Sequence, residues 1–146
     1  MREQGIEVLL EQTVVAVEGE PGALTARLGN GESLACGGVL MATGRRPWLA
    51  DLGLDAAGVA TENGRIRVDA NSCTSVPHIH AVGDVTDRVN LTPVAIDEGR
   101  AFADSVFGSR QRQVNHDLVA SAVFSDPELA TVGLSEEQAI ERHGVD

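Results

Sequence analysis

The stretch that decides the fold runs from residue 78 to residue 95 and reads HIHAVGDVTDRVNLTPVA. Residues 78–82 form an apolar run that predicts a β-strand. This strand leads directly into Gly83-Asp84, so a carboxylate is expected at its carboxyl end. Because open α/β sheets bind their ligands outside the carboxyl ends of the strands, the stretch indicates a ligand site there.

A helix is predicted to follow shortly after this strand. Thr92 is expected to cap it, Pro93 suits the first helical position, and Phe107-Gly108 ends it. The start of a helix offers free N–H groups and a partial positive charge, which can stabilise an electron-rich or anionic ring edge. An ionised Asp84 can accept hydrogen bonds from the hydroxyls of a sugar-like chain. Helix caps and strand-end Asp residues are also common structural devices, so the spacing alone leaves both interpretations open.

Short extended runs lie on both sides of this stretch. Upstream, alternating apolar residues and turn signals predict a β-meander, in which Asn30-Gly31 is expected to supply the positive φ angles of a tight hairpin. Gly29-Asn30-Gly31 is not a phosphate loop, because the third glycine of a dinucleotide fingerprint is missing. Downstream, Ser135 opens a capping box for a short helix that ends near Gly144. The other predicted strands are 6–10, 13–17, 24–28, 32–36, 39–42, 65–68, 119–124 and 130–132, and an Asn63-Gly64 turn is predicted to precede the strand at 65–68.

The composition is that of a globular protein and excludes several partners. The sequence has 146 residues, of which 42% are hydrophobic. Its 11 Lys and Arg residues stand against 22 Asp and Glu residues, and a formal charge of -11 would repel a nucleic-acid backbone. No apolar run approaches the roughly 20 residues of a membrane-spanning helix, and the first residues lack the apolar core of a signal peptide. We therefore expect a cytoplasmic protein that binds neither nucleic acid nor a membrane.

The cysteines and histidines show no pattern typical of a redox or metal site. Cys36 and Cys73 lie far apart in sequence and are interpreted as ordinary small residues. His78 and His80 share a strand face, but with Cys73 they make only three ligands where a structural metal site normally has four, so no metal is predicted. His116 lies in a polar segment and is expected to face solvent.

Four groups of residues carry a resemblance to a known family. They are Ala42-Thr43-Gly44-Arg45-Arg46-Pro47, Ala81-Val82-Gly83-Asp84-Val85-Thr86-Asp87, Asn90-Leu91-Thr92-Pro93-Val94-Ala95, and Ala122-Val123-Phe124-Ser125 with Thr131-Val132-Gly133-Leu134. In this order they resemble the class I pyridine nucleotide-disulfide oxidoreductases over nearly the whole chain. Residues 91–95 are similar to the glutathione reductase branch in particular, since dihydrolipoamide dehydrogenases usually carry Leu-Ala-His there.

The resemblance implies that the cofactors are FAD and NADPH. It implies that Asp84 binds the ribityl hydroxyls of FAD, while Leu91, Thr92 and the helix starting at Pro93 face the pyrimidine edge of the flavin. Gly44 matches the family position where the end of the nicotinamide domain approaches the cofactor, and Ala122 matches a weaker nicotinamide contact. The cofactor-binding residues implied in this way are Gly44, Gly83, Asp84, Asn90, Leu91, Thr92, Pro93 and Ala122.

The resemblance also implies a fold and a division into domains. The expected fold is α/β with α+β elements: part of a Rossmann-like, three-layer FAD/NAD(P)-binding fold with a β-meander, and the start of a dimerisation domain. Residues 1–44 are expected to end the NAD(P)-binding domain, and residues 45–114 to end the FAD-binding and central domain. Residues 115–146 are expected to begin the interface domain of a homodimer.

The implied activity is the reduction of glutathione disulfide, with electrons passing from NADPH to FAD and then through a cysteine pair. The family's glycine fingerprints, redox cysteines and His-Glu pair are missing from the sequence. The chain is therefore expected to be an internal fragment, inactive alone, with no catalytic residue of its own. Two alternatives stay open: a fragment of dihydrolipoamide dehydrogenase, mercuric reductase or trypanothione reductase, and a non-catalytic remnant. The sequence departs from the family pattern at Trp48, where Asn is usual, and at Ala120, where Pro is common.

Overall fold

The structure, a computed structural model, describes residues 2–144 and combines short helices with small antiparallel sheets. This mixture confirms the α/β with α+β class. The chain divides between Gly44 and Arg45 into two compact units, here called unit 1 and unit 2. The elements are β1 (Val14–Glu20), β2 (Ala23–Leu28), β3 (Ser33–Cys36), α1 (Leu54–Ala57), β4 (Thr61–Glu62), β5 (Arg65–Ile66), α2 (Thr92–Val106), β6 (Ser121–Val123), β7 (Leu129–Thr131) and α3 (Glu136–His143), with 3-10 turns at Arg2–Gln4, Gly83–Thr86 and His116–Leu118.

Unit 1 is built around the predicted β-meander. Strands β1, β2 and β3 pair in sequence order and antiparallel, with Ala26 of β2 opposite Val17 on one side and Leu34 on the other. Ala26 and Leu28 are buried, because alternate residues of the central strand face the same side of the sheet. The β-meander is therefore confirmed.

The strands predicted at the two ends of the meander are wrong. Residues 6–10 and 39–42 form no strand. Strands are held by backbone hydrogen bonds to a neighbour, and no strand in the described part of the chain lies beside either run. Leu10 and Leu40 are accordingly 70% and 91% exposed. An apolar run indicates that a segment favours burial, but it does not show that a neighbouring strand is present to pair with it.

The turn between β2 and β3 depends on one glycine. The Gly31 amide donates to Leu28 O at 3.0 Å, and the Leu28 amide donates to Glu32 O at 2.9 Å, so three residues close the hairpin. Only Gly31 takes a positive φ, of 91°, whereas Asn30 does not, which corrects the expectation for the Asn-Gly pair. A three-residue hairpin loop needs the left-handed conformation at its last position only, which explains the difference.

Replacing Gly31 with Ala is expected to destabilise the meander by ~1–2 kcal/mol, because an L side chain resists the left-handed conformation. Nothing lies within 4 Å of an added Cβ at Gly31 or at Gly37, and Gly37 has no positive φ, so Gly37→Ala is the matched control. Hydrogen exchange of the β2 and β3 amides measures the effect. Equal protection in the two variants would contradict it.

Unit 2 has its apolar core beneath the 3-10 turn Gly83–Thr86. The core is centred on Val59, Ile66 and Ala81, each less than 9% exposed. Strands β4 and β5 reach it through the hairpin turn at Asn63 and Gly64, whose φ angles of 52° and 77° are those of the predicted tight turn. The half-buried side chains packed around the core are Leu49, Leu54, Val68, Val76, Ile79 and Val85. The core therefore anchors the chain on both sides of Gly83.

The strand predicted at residues 78–82 is also wrong. The run makes a single antiparallel bridge, between His80 and Cys73, and the chain then enters the 3-10 turn through the extended Val82. One bridge fixes the direction of the chain but does not build a ladder. The strand predicted at 65–68 is likewise shortened to Arg65–Ile66, and those at 119–124 and 130–132 become β6 and β7.

The two longer helices follow their local sequence signals. Helix α2 ends at Val106 with Phe107 as its C-cap, as predicted. Helix α3 begins with the predicted capping box, in which the Ser135 hydroxyl accepts from Gln138 N at 3.2 Å and Gln138 Oε1 accepts from Ser135 N at 3.0 Å. Over residues 2–144, no helix combines the length and the apolar composition needed to cross a membrane.

Candidate functional site

Asp84 lies in the 3-10 turn, where its backbone is fixed on both sides. Gly83 takes φ 73°, a conformation open to glycine because it has no Cβ. The Thr86 hydroxyl donates to Gly83 O at 2.8 Å, and the Asp87 amide donates to Asp84 O at 3.0 Å. The Asp84 side chain is exposed, and within residues 2–144 no hydrogen bond or ion pair engages its carboxylate. A rigid turn therefore presents a free acceptor.

The start of α2 presents free donors. Leu91 is the N-cap and Thr92 the first helical residue, so the prediction that Thr92 caps the helix is wrong by one position. The shift arises because the Ala95 amide already closes the first turn, donating to Leu91 O at 3.0 Å. Leu91 has no polar side chain and Pro93 has no N–H, so the amides of Thr92 and Val94 stay available to an acceptor.

The acceptor and the donors belong to one corner of unit 2. A Cβ built on Gly83 would lie 3.1 Å from Ala95 Cβ, in the first turn of α2. The Gly83 amide donates to Glu98 Oε2, one turn further along, at 2.6 Å. The residue before Asp84 is therefore packed on the helix, and the structure brings Asp84 to the same corner as the helix start.

A cleft of ≈ 290 Å³ opens beside this corner. Asp84 and Asn90 line it together, and Asn90 Nδ2 donates to Asp87 Oδ1 at 2.7 Å, which holds the residues before the helix next to the turn. Trp48, one of the two residues that depart from the family pattern, also lines the cleft and is 82% exposed. The remaining lining residues are Arg45, Arg46, Pro47 and Val85.

Two of the predicted site residues belong to other parts of the chain. Gly44 belongs to unit 1, where it is exposed with φ 97°. Ala122 is exposed in β6 opposite Ala130 and does not line the cleft. The residues that the structure gathers at the corner are Gly83, Asp84, Asn90, Leu91, Thr92 and Pro93.

The sequence patterns did not reveal a group of polar side chains around the buried Glu98, next to the 3-10 turn. Glu98 is 2% exposed, and its Oε1 accepts from Arg88 Nη2 at 2.9 Å and from His116 Nε2 at 2.7 Å. The expectation that His116 faces solvent is therefore wrong, because the buried carboxylate requires partners. The available signal was periodicity: Glu98 lies on the same helix face as Val94 and Ala101, both buried. Removing a partner of Glu98 leaves a buried carboxylate without one of its hydrogen bonds, which destabilises the fold.

The cysteines of the chain take no part in the corner. Cys36 and Cys73 are free thiols, and the Cys73 thiol contacts Pro77 O at 3.7 Å. In the part of the chain that the structure describes, no group of three or more His, Cys, Asp or Glu residues is placed to hold a metal ion. His80 instead packs its ring on Phe102, with centroids 4.8 Å apart.

Comparison with known proteins gives this corner a family context. The family model described as pyridine nucleotide-disulphide oxidoreductase matches residues 1–99. The chain belongs to this family. Its Rossmann-like fold agrees with solved structures: LpdA from Mycobacterium tuberculosis superposes with a TM-score of 0.89 at 27% identity, covering 99% of this chain and 31% of that one. The flavoprotein disulfide reductase RclA from Escherichia coli gives 0.86 at 31% identity, covering 99% and 33%.

Curated members of the pyridine nucleotide-disulphide oxidoreductase family match nearly the whole chain. Glutathione reductase from Burkholderia cepacia is 50% identical over 98% of this chain and 32% of its own length. Trypanothione reductase from Trypanosoma congolense is 44% identical over 92% of this chain and 28% of its own length. The chain thus spans about a third of the length of the relatives it matches.

Proposed function

We propose that this chain supplies the flavin contacts of an FAD-dependent disulfide reductase that uses NADPH to reduce glutathione disulfide. The observation that carries the proposal is the corner of unit 2, where the unpaired Asp84 carboxylate lines one cleft together with Asn90, the residue that precedes the uncapped start of α2. The family match and the glutathione reductase relative at 50% identity support it.

The residues at the corner suit the two ends of a flavin. The Asp84 carboxylate is an acceptor with no partner among residues 2–144, which suits the hydroxyls of the ribityl chain. The amides of Thr92 and Val94, at the positive end of α2, suit the electron-rich pyrimidine edge. Bound FAD would supply the two-electron carrier between nicotinamide and disulfide. Donors fixed at that edge favour the reduced, more negative form without reorganising.

The nicotinamide side of the proposal rests on two other residues. Gly44 and Ala122 are proposed contacts near the nicotinamide, and both are exposed. No residue of this chain is proposed as catalytic. Cys36 and Cys73 are free, and neither is assigned to the redox pair. The preference for NADPH follows the resemblance to the glutathione reductase branch.

The proposal extends to assembly, location and domain limits. We place the end of the NAD(P)-binding domain at residue 44, the end of the central domain at residue 114, and the start of a homodimer interface domain after it, in a cytoplasmic enzyme. Exposed apolar side chains in and beside β6 and β7 support an interface there, since Val123, Phe124 and Leu129 are 58%, 88% and 59% exposed.

Trypanothione reductase is the second candidate. The relative from Trypanosoma congolense matches at 44% identity, close to the value for the bacterial glutathione reductase. Both enzymes are named for a disulfide substrate, and the flavin corner serves either.

A chimera tests the proposed role. This chain would replace the matching third of the Burkholderia cepacia glutathione reductase, and the purified product would be tested for FAD content and for NADPH oxidation by glutathione disulfide and by trypanothione disulfide. We expect one FAD for each subunit and a kcat within about tenfold of the parent enzyme, because an intact flavin site costs little transition-state stabilisation. A folded, soluble chimera that holds no flavin would sink the proposal, and turnover with trypanothione disulfide alone would favour the second candidate.

A further inference from the structure

Helix α2 buries a carboxylate on its inner face. That face consists of Val94, Glu98 and Ala101, and each of the three side chains is almost fully buried. A carboxylate at such a position is costly unless hydrogen bonds satisfy both oxygens. Both Glu98 oxygens are satisfied, and the partners lie 10 to 18 residues away in sequence.

We infer that Glu98 is a positioning residue, which holds the Gly83 turn against α2 and so aims Asp84 at the cleft. Glu98 Oε2 accepts from the Gly83 amide at 2.6 Å, which is shorter than an ordinary N–H···O hydrogen bond. Gly83 directly precedes Asp84, so this bond sets where the Asp84 backbone begins. The inference rests on the proposed function only in naming FAD as the group that Asp84 contacts.

The bond is one side of a closed ring. Arg88 Nη2 donates to Glu98 Oε1 at 2.9 Å, and Arg88 Nε donates to Thr86 Oγ1 at 3.3 Å. The Thr86 hydroxyl in turn donates to Gly83 O at 2.8 Å. Both polar backbone groups of Gly83 are thus held, the amide by Glu98 and the carbonyl by Thr86, and Arg88 joins the two holders. Side chains from α2 and from the turn together determine the Gly83 conformation.

His116 connects this ring to the segment that follows α2. His116 Nε2 lies 2.7 Å from Glu98 Oε1, and Gln113 Nε2 donates to Asn71 Oδ1 at 2.9 Å. Ser105 Oγ accepts from the Arg112 amide at 2.9 Å, which holds the same segment on the helix. Hydrogen bonds therefore hold residues 112–116 against α2. The Glu98 side chain contacts both this segment and Gly83.

The test compares Glu98→Ala and Glu98→Gln with Ala101→Gly in the full chain. The Ala101 variant weakens the same helix without touching the ring, so it controls for lost stability. Gln keeps an acceptor for the Gly83 amide but loses the charge. In spectra of ¹⁵N-labelled protein, we expect the Gly83 amide proton to move upfield in Glu98→Ala, to take an intermediate position in Glu98→Gln, and to stay in place in Ala101→Gly.

The same substitutions are also made in the chimera described above, which is titrated with FAD and followed by flavin fluorescence. We expect the dissociation constant for FAD to rise about tenfold in Glu98→Ala and by a smaller factor in Glu98→Gln. It should rise least in Ala101→Gly, even where that variant loses as much in melting temperature as the Glu98 variants do. An unmoved Gly83 amide in Glu98→Gln, which preserves side-chain shape, would overturn the inference, as would equal FAD losses in Glu98→Ala and Ala101→Gly. A wild-type chimera that binds no FAD counts against the proposed function instead, and the Gly83 amide of the full chain still decides the positioning role.

Discussion

Replacing Asp84 with Asn is expected to raise the dissociation constant for FAD by roughly 10- to 100-fold. The substitution keeps the shape of the side chain but removes the charge that strengthens hydrogen bonds from ribityl hydroxyls. Such bonds to a charged group contribute about 1.5–3 kcal/mol. Because the carboxylate is exposed and has no partner among residues 2–144, its loss leaves no buried group unsatisfied. The melting temperature without FAD should therefore stay near that of the wild type.

Flavin fluorescence titration of the chimera described above measures this effect, and Asp55→Asn is the control. Asp55 lies in α1, is exposed, and carries the same charge away from the cleft at Asp84. If both variants weaken FAD binding equally, net charge and not the position of Asp84 is responsible, and the assignment of Asp84 fails.

Replacing Gly83 with Ala is expected to impair both folding and flavin binding. The φ of 73° costs an L residue ~1–2 kcal/mol, and the new Cβ would lie 3.1 Å from Ala95 Cβ, closer than ordinary contact. The turn must shift away from α2 to relieve this contact, which moves Asp84. We expect a lower free energy of unfolding together with a rise of about tenfold or more in the FAD dissociation constant.

Gly58→Ala separates these two effects. Gly58 has nearly the same φ, 72°, but an added Cβ there would meet only Val76 Cγ2 at an ordinary 3.9 Å. It should lose similar stability and leave FAD affinity unchanged. A second check is Gly83→Ala combined with Ala95→Gly, which removes the opposing methyl group and should recover part of the affinity. No recovery would show that the backbone conformation, and not the contact with α2, limits binding.

Local chemistry made some elements predictable from the sequence. The Asn63-Gly64 turn and the Ser135 capping box are each determined by residues within four positions of one another, and both are confirmed. The start of α2 was predicted to within one residue for the same reason. In contrast, residues 6–10 and 78–82 depend on a strand partner that no local pattern supplies, and both were predicted wrongly as strands.

The corner of unit 2 was predictable only in part. Gly83, Asp84 and the residues from Asn90 to Pro93 were identified through a family resemblance, and of these Asp84 and Asn90 line the cleft. The ring behind them was not identified, because two of its bonds join residues 10 and 15 positions apart that no motif connects. An acidic residue on an otherwise apolar helix face was the one local sign that a distant partner was needed.

The burial of the Glu98 carboxylate has an evolutionary consequence. A mutation that removes Glu98 leaves Arg88 and His116 without their shared partner. A mutation that removes Arg88 or His116 leaves the buried carboxylate with one hydrogen bond fewer, so each single step passes through a less stable protein. Positions 88, 98 and 116 should consequently vary as a set among homologous sequences, with lineages carrying either all three of these residues or an apolar replacement of them.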